Sequence, residues 1–403
     1  MRIAIIGGGI GGLTAALALR QVGFETQIFE QAPRLLDVGA AILMWPNAMR
    51  VLHRLGLADA VREHGAVLEK SRWLRSDGKL LNQFSFPKTD ASALALHRAE
   101  LQKILVRALP QASIHLDHEF VGYDSLPDRI VANLRNASSF ECDVLIGADG
   151  LHSRAREQLL NDGAPRDCGY IAWRGVVPHT PESVALATAT EIYGRGQRFG
   201  IGPLGAGKVG WWASVNKNLM PDAEAREGPD SVGAGDHASI REELLRLFHA
   251  WCEPVPDLIR ATALAALVRN DVLDRPPVRK WGSGCMTLLG DAIHPLTPNL
   301  GQGGCLAIED AAVLARCFEK HVASGPSTRT STGVSLALRR YESLRFSRTA
   351  RLARYSRAYG IVGQWHNGWA AGIRDLALSL VPNSATTHFL REIFDYDATV
   401  RGH

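Results

Sequence analysis

The chain has few of the features that mark metal-binding, disulfide-stabilised, membrane-spanning or nucleic-acid-binding proteins. Its six cysteines are scattered without CxxC pairs or histidine-rich neighbours, which predicts no metal site, no disulfide framework and reduced thiols in the cytoplasm. No apolar run reaches the roughly 18 residues of a membrane-spanning helix, so we expect no integral membrane segment. The 45 basic and 41 acidic residues nearly balance and include no lysine-rich block. Nucleic acid is therefore not an expected partner.

The N-terminal residues predict a strand, a glycine-rich turn, a helix and a second strand. Ile3 to Ile6 form an apolar run of strand length, Leu13 to Arg20 favour a helix, and Thr26 to Glu30 have the character of a strand. Such a βαβ unit pairs its two strands in parallel through a right-handed crossover. We therefore expect an α/β fold built on a parallel sheet.

The turn of this unit carries the spacing Gly7-x-Gly9-x-x-Gly12. Glycines here allow the backbone to approach a pyrophosphate, whose charge lies at the positive end of the helix. Glu30 follows eighteen residues after Gly12, where a carboxylate can accept hydrogen bonds from a ribose. The alternative is a glycine-rich turn with an incidental glutamate, but the strand and helix on either side favour dinucleotide binding.

Two further motifs place an acidic residue and glycines where a predicted strand passes into a helix. The first motif runs from Asp143 through Gly147-Ala148-Asp149-Gly150 to Arg156. The second motif contains Gly290-Asp291, His294-Pro295, Asn299 and Gly301-Gln302-Gly303-Gly304. Open α/β sheets bind ligands at such junctions, although each acid can instead cap a helix. Three motifs in this order favour a single dinucleotide site.

The remaining residues predict a second layer and a helical end. Short β-like runs between about 169 and 216, including Tyr170 to Val177 and Val209 to Val215, indicate a separate antiparallel layer. Residues 220 to 237 are expected to form a surface loop and residues near 323 to 333 a linker before the last helices. Arginines that recur every third residue from 339 to 357, except at Glu342, predict a solvated, salt-bridged helix, with an anion-binding face as the alternative. An apolar stripe between 358 and 382 is typical of core packing, with contact to an isoprenoid-bearing substrate as the alternative.

Together the motifs resemble the class A flavoprotein monooxygenases, the family of 4-hydroxybenzoate and salicylate hydroxylases, over nearly the whole chain. The resemblance implies a Rossmann-like FAD-binding domain of the 4-hydroxybenzoate-hydroxylase-like fold, an inserted, mainly antiparallel β substrate domain and a C-terminal helical segment. We assign residues 1–70, 97–168 and 280–335 to the FAD-binding domain. Residues 71–96 and 169–279 are assigned to the substrate domain, and 336–403 to the C-terminal helices.

By the same resemblance, FAD is bound tightly but non-covalently by residues of all three motifs and their neighbours. This predicted set comprises Gly7, Gly9, Gly11, Gly12, Glu30, Gln31, Leu43, Arg98, Phe120, Asp149, Asp291, Gly301, Gln302, Gly303 and Gly304. Asp149 is equally compatible with a structural role. Because no second GxGxxG occurs, NAD(P)H is expected as a transient co-substrate, and a flavin C4a-hydroperoxide formed with O2 would transfer its distal oxygen to a small aromatic substrate.

The closest likeness within the family is to the branch of urate hydroxylases, salicylate-type hydroxylases and zeaxanthin-epoxidase-like enzymes. It is carried by Val38-Gly39-Ala40-Ala41-Ile42, Trp45-Pro46-Asn47, Tyr170-x-x-Trp173-x-Gly175, Arg195-Gly196-Gln197-Arg198 and the glycines before Cys305. Arg198 matches an arginine that holds the anionic purine in urate enzymes, with an exposed structural arginine as the alternative. Urate enzymes have an aspartate at the position of Asn299. They also have an aromatic residue near the position of Gly210. An amide cannot serve as a general base, which argues against urate as the substrate.

The predicted catalytic residues are Arg198, His294 and Asn299, and the predicted substrate contacts are Arg198, Trp173 and Trp211. Trp211 and Trp212 are consecutive on a β-like run, so only one can face a given side of the sheet. His294 is equally compatible with a structural turn. The predicted function is hydroxylation of an electron-rich aromatic or N-heteroaromatic compound by a monomer or homodimer. The alternatives are epoxidation or hydroxylation of an isoprenoid or quinone-like compound, and an FAD-binding protein without turnover.

Overall fold

The computed structural model describes residues 1–35, 40–127, 129–220, 234–323 and 330–400. Its strands, in chain order, are β1 (Ile3–Ile6), β2 (Thr26–Phe29), β3 (Ala41–Met44), β4 (Ala66–Leu68), β5 (Lys70–Arg75), β6 (Leu80–Ser85), β7 (Ala93–His97), β8 (Ile114–His115), β9 (Phe120–Ser125), β10 (Ile130–Leu134), β11 (Ser139–Cys142), β12 (Val144–Gly147), β13 (Arg166–Val177), β14 (Thr188–Tyr193), β15 (Gln197–Pro203), β16 (Val209–Asn216), β17 (Val268–Asp274), β18 (Gly282–Ser283) and β19 (Met286–Leu288).

The α-helices are α1 (Ile10–Gln21), α2 (Pro46–Arg54), α3 (Ala58–His64), α4 (Arg98–Arg107), α5 (Arg154–Leu160), α6 (Ala234–Phe248), α7 (Val255–Ala261), α8 (Gly303–His321), α9 (Ser331–Gly363), α10 (Gly368–Leu380) and α11 (Asn383–Phe394). The predicted βαβ unit is confirmed as β1, α1 and β2, with the helix beginning at Ile10 rather than Leu13. The predicted loop at 220–237 lies mostly outside the described residues, and its last four positions belong to α6.

A six-stranded sheet in the order β18-β19-β12-β1-β2-β8 carries the N-terminal unit. Its strands pair in parallel except at the antiparallel β18–β19 edge. Strand β1 is fully buried and lies between β2 and β12. The strand order continues from β2 to β8 on one side of β1 and from β12 to β19 on the other side. A crevice therefore opens at the carboxyl end of β1, which is where open α/β sheets bind dinucleotides.

A seven-stranded sheet in the order β17-β13-β16-β15-β14-β5-β6 forms the second layer. The predicted antiparallel arrangement is confirmed for β13, β15 and β16, whereas β14 and β5 pair in parallel. Strands β5 and β6 come from a stretch of chain far from the other five. This pairing is compatible with the predicted substrate domain, whose boundaries stay a prediction.

The two faces of this second sheet have different surroundings. One face packs with α6 and α7 in an apolar cluster that contains Trp173, Phe199 and Trp211. Because side chains alternate along a strand, the neighbouring positions Arg174, Arg198 and Trp212 lie on the opposite face. We call that opposite face, which the ends of α9 and α10 also approach, the substrate face.

Two predictions about the C-terminal helices are corrected by the structure. The arginine-rich α9 is salt-bridged as predicted, but it is not solvated throughout, because Arg345 and Arg348 are buried against acidic side chains of α8. The apolar stripe of α10 is not core. Trp369 is 87% exposed, and Ile373, Leu376 and Leu380 are also exposed. No helix in the described ranges is long and apolar enough to cross a membrane.

Candidate functional site

The glycine turn after β1 is shaped by contacts that exclude side chains. Gly7 has a φ of +107°, and a Cβ there would lie 2.4 Å from the Ala148 carbonyl oxygen. A Cβ on Gly12 would lie 2.0 Å from the Gly7 carbonyl oxygen. Gly9 precedes the first helical residue of α1 and provides no side-chain cap, so the first N–H groups of the helix stay free for an anion. Gly11 lies against Leu289 and Ala307.

Glu30 follows β2 and is held in place by the backbone. One carboxylate oxygen accepts the Gly8 N–H at 2.7 Å, and the other accepts the Ala32 N–H at 2.9 Å. The Gln102 amide donates to the Gly8 carbonyl at 3.0 Å. Each carboxylate oxygen keeps a lone pair, so Glu30 can accept hydrogen bonds from the hydroxyls of a ribose.

These elements line a cavity of about 750 Å³ at the carboxyl end of the parallel sheet. The predicted cofactor residues Gly7, Gly9, Glu30, Gln31, Phe120 and Asp149 all border it. Its volume is in the range of small-molecule and cofactor sites. The cavity also has lining residues that we did not predict, including His118 and Arg275.

Asp149 shapes the turn between β12 and α5. Its carboxylate accepts the Ser153 hydroxyl at 2.6 Å and the Ala155 N–H at 3.2 Å. Burial raises the pKa of the Asp149 carboxyl, although both hydrogen bonds lower it. A direct contact with the cofactor stays a prediction, while the structural role is visible. Arg156 then donates to the Ile293 carbonyl at 2.8 Å and so joins the second and third motifs.

The third motif forms two short 3-10 turns, Gly290–Ala292 and Pro298–Leu300, before α8. Asp291 is exposed on the first of these turns. The surrounding protein displaces water and raises the pKa of its carboxyl, whereas the charges of His294 and Arg98 lower it. A Cβ on Gly303 would lie 3.8 Å from the Asp291 carboxylate. Arg98 is the exposed first residue of α4.

The glycine loop at the start of α8 packs against β3. Gly301 has a φ of +61°, and a Cβ there would lie 2.9 Å from Leu43 Cδ1 and 3.1 Å from Trp45 Nε1. A Cβ on Gly304 would lie 3.0 Å from Ile42. Glycine is thus required for the loop to lie flat on this strand. Val38 and Gly39, which belong to the family-like segment before β3, lie outside the described residues.

Two buried N–H donors at this loop have no protein partner among the described residues, namely Trp45 Nε1 and Gln302 Nε2. The other amide atom of Gln302 accepts a hydrogen bond from Asn47 at 3.0 Å. Buried donors are normally paired, so such orphans fit a polar cofactor placed against the loop. The cradle, the carboxylate and these donors fit FAD: Gly7 to Gly12 would hold its pyrophosphate, Glu30 a ribose, and Gly301 to Gly304 its ring system.

His294 is buried beside the Asp291 turn, where its backbone N–H donates to the Gly290 carbonyl at 3.0 Å. Its Nε2 lies 2.6 Å from Asp310 Oδ2, while its Nδ1 has no partner in the described structure. Burial would raise the pKa of Asp310, but the charges of His294 and Arg345 hold it at about 2. The contact ties the Asp291 turn to α8. This position favours the structural alternative over proton donation, which stays a prediction.

Arg198 and Asn299, which were both predicted as site residues, contact each other on the substrate face. A guanidinium N–H of Arg198 donates to the Asn299 carbonyl oxygen. The Asn299 amide nitrogen donates to the Tyr170 hydroxyl at 3.0 Å and to the Thr297 hydroxyl at 2.8 Å. Asn299 is two residues from Gly301, so this network is continuous with the loop at the predicted flavin position.

Trp173 and Trp211 are not brought to Arg198. Both are buried on the α6 and α7 side of the sheet, and the indole N–H of Trp211 donates to the Thr262 hydroxyl at 2.8 Å. The Arg198 guanidinium instead lies 5.2 Å from the ring of Trp212. A Cβ on Gly200 would lie 2.0 Å from Trp212 Nε1, which shows that this ring lies across Gly200. Of the two adjacent tryptophans, Trp212 and not Trp211 therefore lies on the face that carries Arg198.

Sequence reasoning missed three partners of Arg198: Glu191, Tyr193 and Tyr359. The first two stand two residues apart on β14, so they share the substrate face with Arg198. The two-residue spacing of Glu191 and Tyr193 on a predicted strand could therefore have identified them as residues of one face. Tyr359 comes from α9, and no sequence pattern indicates its approach. Among the described residues, no cluster of three or more His, Cys, Asp or Glu side chains could hold a metal ion.

A parallel sheet with a glycine cradle at the carboxyl end of β1, joined to a second sheet that faces the Gly301 loop, defines a flavin-dependent oxidoreductase. Comparison with known families agrees, since the FAD binding domain family matches residues 1–344. The chain belongs to this family and is an FAD-dependent monooxygenase.

Three similar proteins illustrate the relationship. Aurachin C monooxygenase/isomerase of Stigmatella aurantiaca is 38% identical over 385 residues, covering 94% of each chain. The 6-hydroxynicotinate 3-monooxygenase of Pseudomonas fluorescens is 32% identical, covering 88% of this chain and 90% of that protein. The structure of Klebsiella pneumoniae HpxO with FAD and uric acid superposes with a TM-score of 0.85 at 28% identity, over 98% of this chain and 96% of that one. The predicted family, fold class and flavin cofactor are confirmed.

Proposed function

We propose that this monooxygenase uses NAD(P)H and O2 to hydroxylate a small, electron-rich aromatic or N-heteroaromatic compound, with FAD bound tightly but non-covalently. The observation that carries the proposal is the contact of Arg198 with Asn299, which places a polar and aromatic face beside the Gly301 loop. Two similar proteins support a heteroaromatic substrate, since one is named for 6-hydroxynicotinate and the other binds uric acid.

Bound FAD would supply the redox chemistry and the activation of O2, and the protein's task is binding, orientation and exclusion of water. Gly7 to Gly12 would hold the pyrophosphate at the start of α1, and Glu30 a ribose. Arg98 and Asp291 would lie along the rest of the cofactor. Leu43 and Gly301 to Gly304 would form the surface against its ring. We retain the fifteen predicted cofactor residues on this basis.

The substrate would lie between the Gly301 loop and the substrate face. Trp212 offers a flat aromatic surface there, and the Tyr170 hydroxyl and Asn299 amide offer polar contacts. The end of α9 closes over Arg198, because a Cβ on Gly363 would lie 2.9 Å from Arg198 Cδ. This close packing would keep water from the reacting ring. NAD(P)H would visit transiently, and a cytoplasmic monomer or homodimer stays our prediction.

The experiment measures NAD(P)H oxidation and peroxide release by the purified, FAD-loaded protein with phenolic acids, hydroxypyridines, purines and isoprenoid quinones. A substrate is expected to accelerate NAD(P)H oxidation at least about tenfold over the ligand-free protein, which corresponds to about 1.4 kcal/mol of barrier. Little peroxide should then appear, because oxygen is transferred to the ring. Acceleration by quinones alone would favour the isoprenoid alternative. No acceleration by any class, with FAD bound, would favour a protein without turnover.

A further inference from the structure

Arg198 is one of the most deeply buried charged groups on the substrate face. Its side chain is 1% exposed, and one guanidinium nitrogen lies 3.0 Å from a carboxylate oxygen of Glu191, which is itself 16% exposed. A second guanidinium nitrogen donates to Asn299. The rings of Trp212 and Tyr359 lie 5.2 Å and 5.7 Å from the guanidinium carbon. The guanidinium is therefore surrounded by protein on several sides.

Glu191 is also bound through its other oxygen. The Tyr359 hydroxyl donates to it at 2.8 Å, and the Tyr193 and Tyr359 hydroxyls are hydrogen-bonded to each other. Burial lowers the pKa of Arg198, but Glu191 and the neighbouring tyrosine hydroxyls together outweigh this effect and the pKa is raised. The arginine stays charged, and its charge is balanced by a carboxylate within the protein.

We infer that Glu191 is a specificity-determining residue that cancels the charge of Arg198, so that the site selects neutral hydroxylated arenes over arene carboxylates. A carboxylate brought to Arg198 would have to displace Glu191 or remain beside a like charge, and either arrangement is unfavourable away from water. A neutral hydroxyl or ring carbonyl brings no charge to that environment. The inference rests on the proposed function, since it names the substrate class of the same site.

A second arginine of the substrate face, Arg174, has a different partner from Arg198. Arg174 lies two strands away on β13 and donates to the Asn270 side chain at 2.9 Å, toward the β17 edge of the sheet. Strands are spaced about 4.8 Å apart, so roughly 10 Å separates the two positions. Arg174 lies directly opposite Trp212 on the neighbouring strand, but the guanidinium that lies over the Trp212 ring is that of Arg198, and Glu191 decides whether the charge of Arg198 is available.

The test uses the FAD-loaded full-length protein and two matched pairs of probes that differ by one carboxylate. These pairs are 2-hydroxypyridine with 6-hydroxynicotinate, and 1-naphthol with 1-hydroxy-2-naphthoate. Dissociation constants come from the shift of flavin absorbance on titration, which requires no turnover. The wild type should bind the neutral member of each pair at least about tenfold more tightly than the carboxylate.

The variant Glu191→Gln keeps a hydrogen-bonding side chain of the same size but leaves Arg198 uncompensated. It should bind the carboxylates at least about tenfold more tightly than the wild type does, while affinity for the neutral probes changes less than about threefold. Glu191→Asp keeps a carboxylate beside Arg198 and should therefore show the wild-type preference for the neutral probes. The control Glu141→Gln removes a half-exposed acid that pairs with Arg2 and Arg129 and should leave the preference unchanged.

A wild type that favours the carboxylates or does not distinguish the members of a pair overturns the inference, even if Glu191→Gln fails to fold. An unchanged preference in a folded Glu191→Gln protein overturns it as well. The failure of the proposed function would look different. The binding preference would then persist, while no probe would accelerate NAD(P)H oxidation.

Discussion

Gly9 and Gly12 belong to one motif, but the folded protein without cofactor excludes a side chain only at Gly12. A Cβ on Gly12 would lie 2.0 Å from the Gly7 carbonyl oxygen, whereas a Cβ on Gly9 would meet no atom within 4 Å. The backbone of Gly9 is extended, with a φ of −74°, so other residues can adopt it. Any requirement for glycine at position 9 therefore comes from the cofactor rather than from the fold.

We expect Gly9→Leu to fold but to purify without yellow colour, because the side chain would occupy the place of the pyrophosphate. Its melting temperature should stay within a few degrees of that of the wild-type apoprotein, since surface changes alter stability by about 0.5 kcal/mol or less. The measurements are the ratio of flavin to protein absorbance and a thermal melt. Gly372→Leu, at an exposed and open position of α10, is the matched control and should stay yellow. A yellow Gly9→Leu protein would contradict the cradle assignment.

The pair Trp211 and Trp212 shows what a residue pattern can and cannot predict. Alternation along a strand correctly implies that the two rings lie on opposite faces. It does not say which face packs on helices, because that depends on α6 and α7, which lie some distance further along the chain. The three glycine-containing motifs were predictable because backbone approach to a phosphate requires particular residues at fixed spacing. The partners of Arg198 come from separate elements and have no such spacing.

Helix α9 connects the C-terminal part of the protein to the cofactor site through buried charges. Arg345 pairs with Glu309 at 2.7 Å and Asp310 at 2.6 Å, and all three side chains are fully buried. Asp310 in turn accepts the Gly290 N–H at 3.0 Å and contacts His294. The arginine thus supports the Asp291 turn from below. By contrast, Arg351 pairs with Glu392 at the surface, where both side chains are more than one-third exposed.

Arg345→Met should destabilise the protein by about 3–5 kcal/mol, because two buried carboxylates would each lose a cation, leaving Glu309 with Arg348 and Asp310 with His294. Arg351→Met, one of the other arginines on the same helix, should cost about 0–1 kcal/mol. Urea unfolding of both variants, followed by circular dichroism and extrapolated to water, measures the difference. Equal costs in the two variants would show that the buried network does not stabilise the helix.

At the scale of elements, local patterns predicted most of the helices and strands that flank the motifs. Strands β1 and β2 and helix α1 were expected close to their observed positions, since their apolar spacing is strong. The parallel pairing of β14 with β5 could not be predicted, because it joins segments that are remote in sequence. The apolar spacing of α10 resembled a core stripe, although Trp369 and Leu380 face outward. Spacing identifies an apolar face but not what covers it.

In the whole molecule, two sheets meet at the loop that begins α8. The parallel sheet provides the cavity beside Gly7, Glu30 and Asp149, and the seven-stranded sheet provides the face with Arg198 and Trp212. Gly301 to Gly304 lie between them, against β3 on one side and two residues from Asn299 on the other. Under the proposed function, this arrangement would place the flavin ring next to a polar, aromatic face, which suits a monooxygenase that acts on planar compounds.

Oxygen-18 gas shows whether an oxygen atom from O2 enters the aromatic ring, as we propose. The FAD-loaded protein is incubated with NAD(P)H, labelled O2 and the arene that most accelerates NAD(P)H oxidation, and the product is analysed by mass spectrometry. We predict a hydroxylated product that contains one labelled oxygen atom, with the second labelled atom in water. Consumption of NAD(P)H that yields only peroxide and returns the arene unlabelled and unchanged would contradict the proposed function.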